Sequence, residues 1–283
     1  MEMKKNSSTL VNKNTIDTIA IGGFDGMHIA HQELFKNLDN NGAIVSIESG
    51  YANLTPKRYR QEYSIYPIFY YVLENIRHLE GCEFIKLLRE EFPNLKKIVV
   101  GFDFCFGKNR KYCIEKLKEL FKGEVLVIDE IKIDNIAVHS RIIREYLKNG
   151  NIKMANKLLG KEYKIYGQKI VGQGLGAKSF VPTINLKVDE FLLPNEGVYF
   201  TKTILDELEF NSITFLGHRL TTDGSYAVET HILDKDIENK DYTIQIKFCQ
   251  KLRDNKKFDS FEELKNQIIN DIKSAKNYFI NIY

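Results

Sequence analysis

The sequence predicts two folded units in one chain: an α/β domain with a doubly wound parallel sheet, then an antiparallel β-barrel that ends in a helix. Three observations carry this. Apolar strand-like runs alternate with helical runs through the first half, as a parallel sheet covered by helices on both faces requires. Near residue 160 the pattern turns to period-two alternation with frequent turns, which reads as a small antiparallel sheet or barrel. After Ser260 the chain shows a single apolar stripe at helical spacing.

Thr18-Ile19-Ala20-Ile21 is the first strand, and Leu34, Phe35 and Leu38 recur at helical spacing after it, from His31 onward. Further strands are read at residues 43–47, 97–101 and 124–128. A helix follows Val138 and runs into Tyr146 and Leu147, and residues 151–159 form the last helix of this half. The change of character places the domain boundary between residues 158 and 159, giving units 1–158 and 159–283 with no long linker. In the second unit residues 197–203 and 242–248 alternate as strands. Ser260-Phe261-Glu262-Glu263 reads as a capping box, and Leu264, Ile268, Ile272, Ala275 and Phe279 form a stripe expected to pack on the outside of the barrel.

At 283 residues and 43% hydrophobic content the chain can bury two cores of ordinary size. A formal net charge of +3 gives no argument for nucleic acid or an anionic membrane surface and suits small phosphorylated ligands. Cys82, Cys105, Cys113 and Cys249 lack metal-ligand spacing, so free thiols in a reducing compartment are expected. No apolar run approaches a membrane span, and the polar start has no hydrophobic signal core behind it. The expectation is a soluble cytoplasmic protein, a monomer or weak homo-oligomer, without nucleic-acid or membrane partners.

The densest chemistry lies at residues 21–31, where an apolar strand enters a glycine turn that delivers His28 and His31 to the start of a helix. Backbone N–H groups and the positive helix end point into such a turn and suit phosphate. Gly22, Gly23 and Gly26 let an anion approach the backbone, and the two histidines, three apart, can donate to the same oxygens. The same pattern also reads as an ordinary α/β junction or as a metal-binding His pair. Ser140 and Arg144 share one helix face near an N-terminus, which suits either phosphate or plain helix capping. Pro182-Thr183-Ile184-Asn185 follows a glycine-rich loop and presents two hard oxygen donors suited to Mg²⁺ on nucleotide phosphates. By strand alternation Glu229 and His231 point to one side, the usual arrangement of a strand's surface face.

In residue order, Gly22-Gly23-Phe24-Asp25-Gly26-Met27-His28-Ile29-Ala30-His31 resembles the G-x-F-D-G-x-H-x-G-H signature of the bacterial bifunctional riboflavin kinase/FMN adenylyltransferase family, with Ala30 at the second-last glycine. The resemblance implies a Rossmann-like nucleotidyltransferase domain. In it Gly22, Gly23, Phe24, Asp25 and Gly26 bind ATP phosphates, and His28 and His31 are catalytic. Residues 101–110 are similar to the family's G-x-D-F-x-F-G-x-x-R segment, which implies that Asp103, Phe104, Phe106 and Arg110 lie on the flavin side. Residues 138–144 look like a weakened S-S-T-x-I-R motif, with Ser140 and Arg144 binding phosphate. Glu48 to Pro56 stands where most relatives carry a Pro-rich turn.

The second unit is similar to the family's riboflavin kinase domain. Its P-T-x-N motif implies Thr183 and Asn185 on Mg²⁺, and its E-x-H-i-L-D segment implies Glu229 as the catalytic glutamate. Gly172, Gly176 and Lys178 fall on the ATP phosphates and Arg253 on the flavin. Ala177 replaces an arginine, leaving Lys178 as a less directional cation, and Ser179-Phe180-Val181-Pro182 stands where L-G-F-P is usual.

The implied activity is ATP-dependent phosphorylation of riboflavin to FMN and adenylylation of FMN to FAD with release of pyrophosphate, with Mg²⁺ and ATP required and FMN and FAD as product ligands. Two other readings stay open: a chain that only adenylylates FMN, its barrel degenerate, and a non-catalytic flavin- or nucleotide-binding regulator.

Overall fold

The computed structural model describes residues 11–171, 181–221, 223–235 and 243–281. Contacts divide the chain into two compact units, Met1–Val138 and His139–Tyr283.

In the first unit β1 (Thr18–Gly22), β2 (Gly42–Glu48), β3 (Ile68–Val72), β4 (Lys97–Gly101) and β5 (Glu124–Ile128) form an all-parallel sheet of order β3-β2-β1-β4-β5. Four helices accompany it: α1 (Ile29–Lys36), α2 (Leu73–Ile76), α3 (Gly81–Glu91) and α4 (Ile114–Leu120). Strand alternation sorts the core into two layers. Ile19, Ile21, Val45, Ile98 and Val100 face Phe84 and Leu88 of α3 and Leu117 of α4. One residue out of step, Ala20, Ile44 and Val99 face Leu34 and Phe35 of α1. Both faces are therefore buried, which is why these strands read as continuous apolar runs. β3 is absent from the sequence reading: Ile68-Phe69-Tyr70-Tyr71-Val72 lies half-buried at a sheet edge, as β5 does at the other, and its two tyrosines interrupt the aliphatic run. A short hairpin, β6 (Lys132–Ile133) and β7 (Ile136–Ala137), turns through Asp134 and Asn135, with φ of 50° and 63°.

The second unit opens with α5 (Ser140–Lys148) and α6 (Ile152–Leu159), which continue the helical character of the first half but pack in the barrel unit. Asn156 of α6 donates through Nδ2 to the Phe248 carbonyl at 2.8 Å, and its Oδ1 accepts from the Tyr163 N–H at 2.7 Å. β8 (Tyr163–Ile170), β9 (Ile184–Lys187), β10 (Gly197–Leu205), β11 (Leu208–His218), β12 (Tyr226–Ile232) and β13 (Thr243–Arg253) close into a barrel of order β10-β11-β12-β9-β8-β13. The barrel interior carries a closed ring of five hydroxyls. Thr201 pairs with Ser212 at 2.8 Å, Ser212 with Thr203 at 2.8 Å, Thr203 with Thr230 at 3.1 Å, Thr230 with Thr214 at 3.0 Å, and Thr214 with Thr201 at 2.8 Å. All five are fully buried, and the ring satisfies each of them without water.

The terminal helix α7 (Phe261–Ile280) lies against the outside of the barrel, with Ala275 and Phe279 packed on Val198, Phe200 and Ile213. Ser260 caps it by accepting from the Glu263 N–H at 3.1 Å. The return half of the expected capping box shifts by one residue, because Glu263 accepts from the Asp259 N–H at 3.2 Å. The stripe also holds Asp271, almost fully buried, whose carboxylate takes three hydrogen bonds from the Arg253 guanidinium at 2.7–3.1 Å. Asp271→Ala removes the carboxylate from a guanidinium that is itself only 21% exposed. The variant is expected to lose about 3 kcal/mol of stability, read from urea unfolding. Burial and the neighbouring Glu162 push the Cys249 thiol up to about 12. In the folded protein a thiol reagent should therefore modify exposed Cys82 and reach Cys249 only after denaturant is added, as peptide mapping would show.

Candidate functional site

The turn after β1 is shaped by backbone strain. Phe24 and Met27 take φ of 50° and 45°, and Gly26 takes 86°. His28 rather than His31 begins the helix: it is the N-cap of α1, and its Nδ1 accepts from the His31 N–H at 3.4 Å. The two imidazoles stack with centroids 3.4 Å apart, and Phe24 meets His31 edge-on at 5.2 Å. With Nδ1 accepting, the His28 ring carries its proton on Nε2 as a donor. A methyl group at Gly22 would meet the Phe24 ring at 3.0 Å, so any larger residue there requires that ring to give way by a few tenths of an ångström.

Asp25 is held differently from the phosphate ligand of the sequence reading. Its buried carboxylate accepts from the backbone N–H groups of Asn53, Leu54 and Thr55 at 2.9–3.2 Å, so it anchors the segment after β2. That segment is the one lacking the family's proline-rich turn. Arg60, which the sequence reading missed, is fully buried and donates to the Thr55 carbonyl at 3.0 Å, the Gly23 carbonyl at 3.2 Å and the Ser46 hydroxyl at 2.6 Å, and it pairs with Glu48. An uncompensated guanidinium would not survive there. Arg60 and Asp25 together fix the glycine turn to the loop beside it. No local pattern marks Arg60, whose partners come from three separate segments.

β1 and β4 are neighbours at the point where the strand order reverses, so the turns at residues 22–28 and 101–110 leave the same end of the sheet. Along the second turn Asp103 and Arg110 are exposed and Phe104 is half-buried. Phe106 is buried in the core with Phe84 and Tyr112, its ring within 14° of parallel to that of Phe104. Phe106 therefore supports the turn, while Phe104 is the ring of the pair with solvent access.

In the second unit Ser140 is the first residue of α5, the N-cap being His139, and Arg144 follows one turn on. The capping alternative for Ser140 thus falls one residue off. Gly172, Gly176 and Lys178 lie outside the described residues.

Asn185 on β9 and Glu229 on β12 are cross-strand partners in register. One side chain joins them, that of Arg219 just beyond β11. Its Nε donates to Glu229 Oε1 at 2.9 Å, and its Nη2 donates to the same oxygen at 2.5 Å and to Asn185 Oδ1 at 2.7 Å. Its Nη1 reaches the Ser225 hydroxyl at 2.7 Å. Thr230 points into the hydroxyl ring, so Glu229 and His231 share the opposite face, as alternation predicts. His231 donates from Nδ1 to the Pro182 carbonyl at 2.8 Å, tethering the segment that carries exposed Thr183. Arg219 was not foreseen, since its partners lie ten and thirty-four residues away in sequence. Arg253, read as a flavin ligand, is engaged by Asp271.

The chain thus joins a parallel sheet ending in a glycine turn with an imidazole cap to a closed six-stranded barrel bearing a Glu–Arg–Asn set. Residues 159–279 match the family described as "Flavokinase: Riboflavin kinase". Proteins named bifunctional riboflavin kinase/FMN adenylyltransferase match nearly end to end. That of Haemophilus influenzae is 28% identical over 92% of this chain and 94% of its own. That of Buchnera aphidicola subsp. Schizaphis graminum is 29% identical over 99% of both chains. That of Escherichia coli is 26% identical over 92% of both. The crystal structure of a macrolide-efflux protein from Streptococcus pneumoniae shares the fold with TM-score 0.80 and 26% identity, covering 94% of this chain and 97% of that one. Among the described residues no helix is long and apolar enough to cross a membrane. Over nearly its whole length the chain is similar to proteins named bifunctional riboflavin kinase/FMN adenylyltransferase, and its residues 159–279 match the riboflavin kinase family.

Proposed function

We propose that this chain phosphorylates riboflavin to FMN with ATP in residues 159–283 and adenylylates FMN to FAD, releasing pyrophosphate, in residues 1–158. The observation that carries the first step is the Glu229–Arg219–Asn185 cluster. Riboflavin's 5′-hydroxyl is a poor nucleophile at neutral pH, and Glu229 is the base that takes its proton as the γ-phosphoryl group is transferred. Asn185 and Thr183 are hard oxygen donors. Among the described residues no group of three or more His, Cys, Asp or Glu could hold a metal unaided. That donor set fits a Mg²⁺ ion arriving with the nucleotide, its other positions filled by phosphate oxygens and water. The ion supplies neutralisation of the phosphate charge.

Arg219 holds both the base and the amide oxygen at fixed orientation. Arg219→Ala is expected to lower kcat for phosphorylation by about 10²-fold, the scale of a 1 Å misplacement, with Arg219→Lys recovering part of it. Steady-state rates with riboflavin, ATP and Mg²⁺ check this.

FMN already carries an anionic phosphate, with a second pKa of about 6, so its attack on the α-phosphate of ATP needs no base. What that step needs is positioning and stabilisation of the departing pyrophosphate, for which His28 and His31 are the donors of the glycine turn. Ser140 and Arg144 are proposed phosphate ligands on the family resemblance.

The test is incubation of the purified protein with riboflavin, ATP and Mg²⁺, with a parallel reaction started from FMN, and chromatographic separation of riboflavin, FMN and FAD. FMN and FAD from riboflavin support both assignments. FAD from FMN alone leaves the first domain as the enzyme, and no product from either start overturns the proposal.

A further inference from the structure

The excursion after β4 brings two thiols together. Phe106 and Tyr112 exchange backbone hydrogen bonds across an isolated antiparallel bridge, Phe106 N–H to the Tyr112 carbonyl at 2.8 Å and Tyr112 N–H to the Phe106 carbonyl at 3.3 Å. One residue outward on each side, that register sets Cys105 opposite Cys113. This is a non-hydrogen-bonded pair, the kind in which facing side chains come closest. Their sulfurs lie 2.6 Å apart, with Cys113 exposed and Cys105 half-buried. Both ends of the excursion are anchored independently of the thiols. The Phe106 ring packs on Phe84 and Tyr112, the Tyr112 hydroxyl donates to Glu80 at 2.5 Å, and Cys113 is the N-cap residue of α4. Gly107, Asn109 and Arg110, with φ of 70°, 57° and 55°, turn the chain between them. The backbone thus already holds the two cysteines at bonding register.

We propose that Cys105 and Cys113 form a reversible intramolecular disulfide by exchange with a low-molecular-weight disulfide, making the base of this excursion a covalent modification site. The thiolate of exposed Cys113 attacks one sulfur of the small disulfide, forming a mixed disulfide and releasing one small thiolate. The Cys105 thiolate then attacks the Cys113 sulfur and expels the second. The protein loses two hydrogens and two electrons, and the small disulfide leaves as two thiols. The Cys105 sulfur holds the Cys113 thiol above its ordinary range, Glu115 acts in the same sense and Arg110 opposes it, so the exchange quickens as the pH rises. Once formed, the bond closes the loop that carries Arg110. The chemistry is independent of the proposed activities.

The test uses the full chain, fully reduced, then exposed to excess oxidised glutathione at about pH 8.5, near the ordinary thiol pKa. Trapping by alkylation and tryptic digestion follow. Trypsin cuts after Lys108, Arg110 and Lys111, between the two cysteines, so a disulfide would join peptide 98–108 to peptide 112–116. The expected result is that linked pair, with Cys105 and Cys113 missing from the alkylated peptides whether or not exposed Cys82 carries glutathione, and full reversal by dithiothreitol. Cys105→Ser is expected to abolish the link and leave Cys113 carrying glutathione. Separate glutathione adducts on Cys105 and Cys113 in the wild-type chain, alkylation of both, or a link from Cys113 to Cys82 would each overturn the proposal.

Discussion

Glu229→Gln is expected to lower riboflavin phosphorylation by about 10²–10⁴-fold, the range of a lost general base, while FAD formation from added FMN continues at the wild-type rate. The amide keeps the shape of the carboxylate and can still accept from Arg219, so the barrel should remain folded. What it loses is the ability to take a proton from the 5′-hydroxyl. Glu229 is only 24% exposed at its side chain and lies in register with Asn185. The measurement is the initial rate of FMN formation beside the rate of FAD formation from FMN. Equal losses in both, with an unchanged circular dichroism spectrum, would sink the assignment of the two steps to two domains.

The converse is expected at the glycine turn. His28→Ala should reduce FAD formation by about 10²–10³-fold, the scale of one transition-state donor, and leave FMN formation from riboflavin intact. His28 also caps α1 and stacks on His31, so alanine costs stability as well as a donor. His28→Asn separates the two roles, because asparagine is a good N-cap whose Nδ2 donor lies closer to the backbone than Nε2 and does not reach the same oxygen. If the asparagine variant melts like the wild type and still makes no FAD, the donor is what matters. An asparagine variant with wild-type FAD formation would reduce His28 to a helix cap.

How much of this was legible in the sequence follows from the range of the interactions involved. β1, β2 and β4 were readable because a strand buried on both faces must be apolar throughout, and β5, half-buried at a sheet edge, because its Val125–Ile128 run is wholly aliphatic. The barrel was readable because half of each strand faces inward. β3, at the other edge, escaped because Tyr70 and Tyr71 interrupt its aliphatic run. His28 and His31 were visible as part of a contiguous segment, but which of them capped the helix was settled only when α1 began at Ile29. Phe106 and Asp25 stood in motif positions, but that one packs in the core and the other holds three backbone donors became visible only in the fold.

The sequence alone determined the two-domain plan, the glycine turn, the P-T-x-N and Glu229 segments and the terminal helix, since each depends on residues near one another along the chain. Tertiary structure alone decided what long-range contacts impose: the buried Arg60 clamp, the Arg219 bridge from Glu229 to Asn185, the Arg253–Asp271 pair, and the facing of Cys105 on Cys113. The reason is physical. A charged side chain is indifferent to its neighbours in an extended chain, and it acquires a partner only when folding removes water and leaves one oxygen within reach.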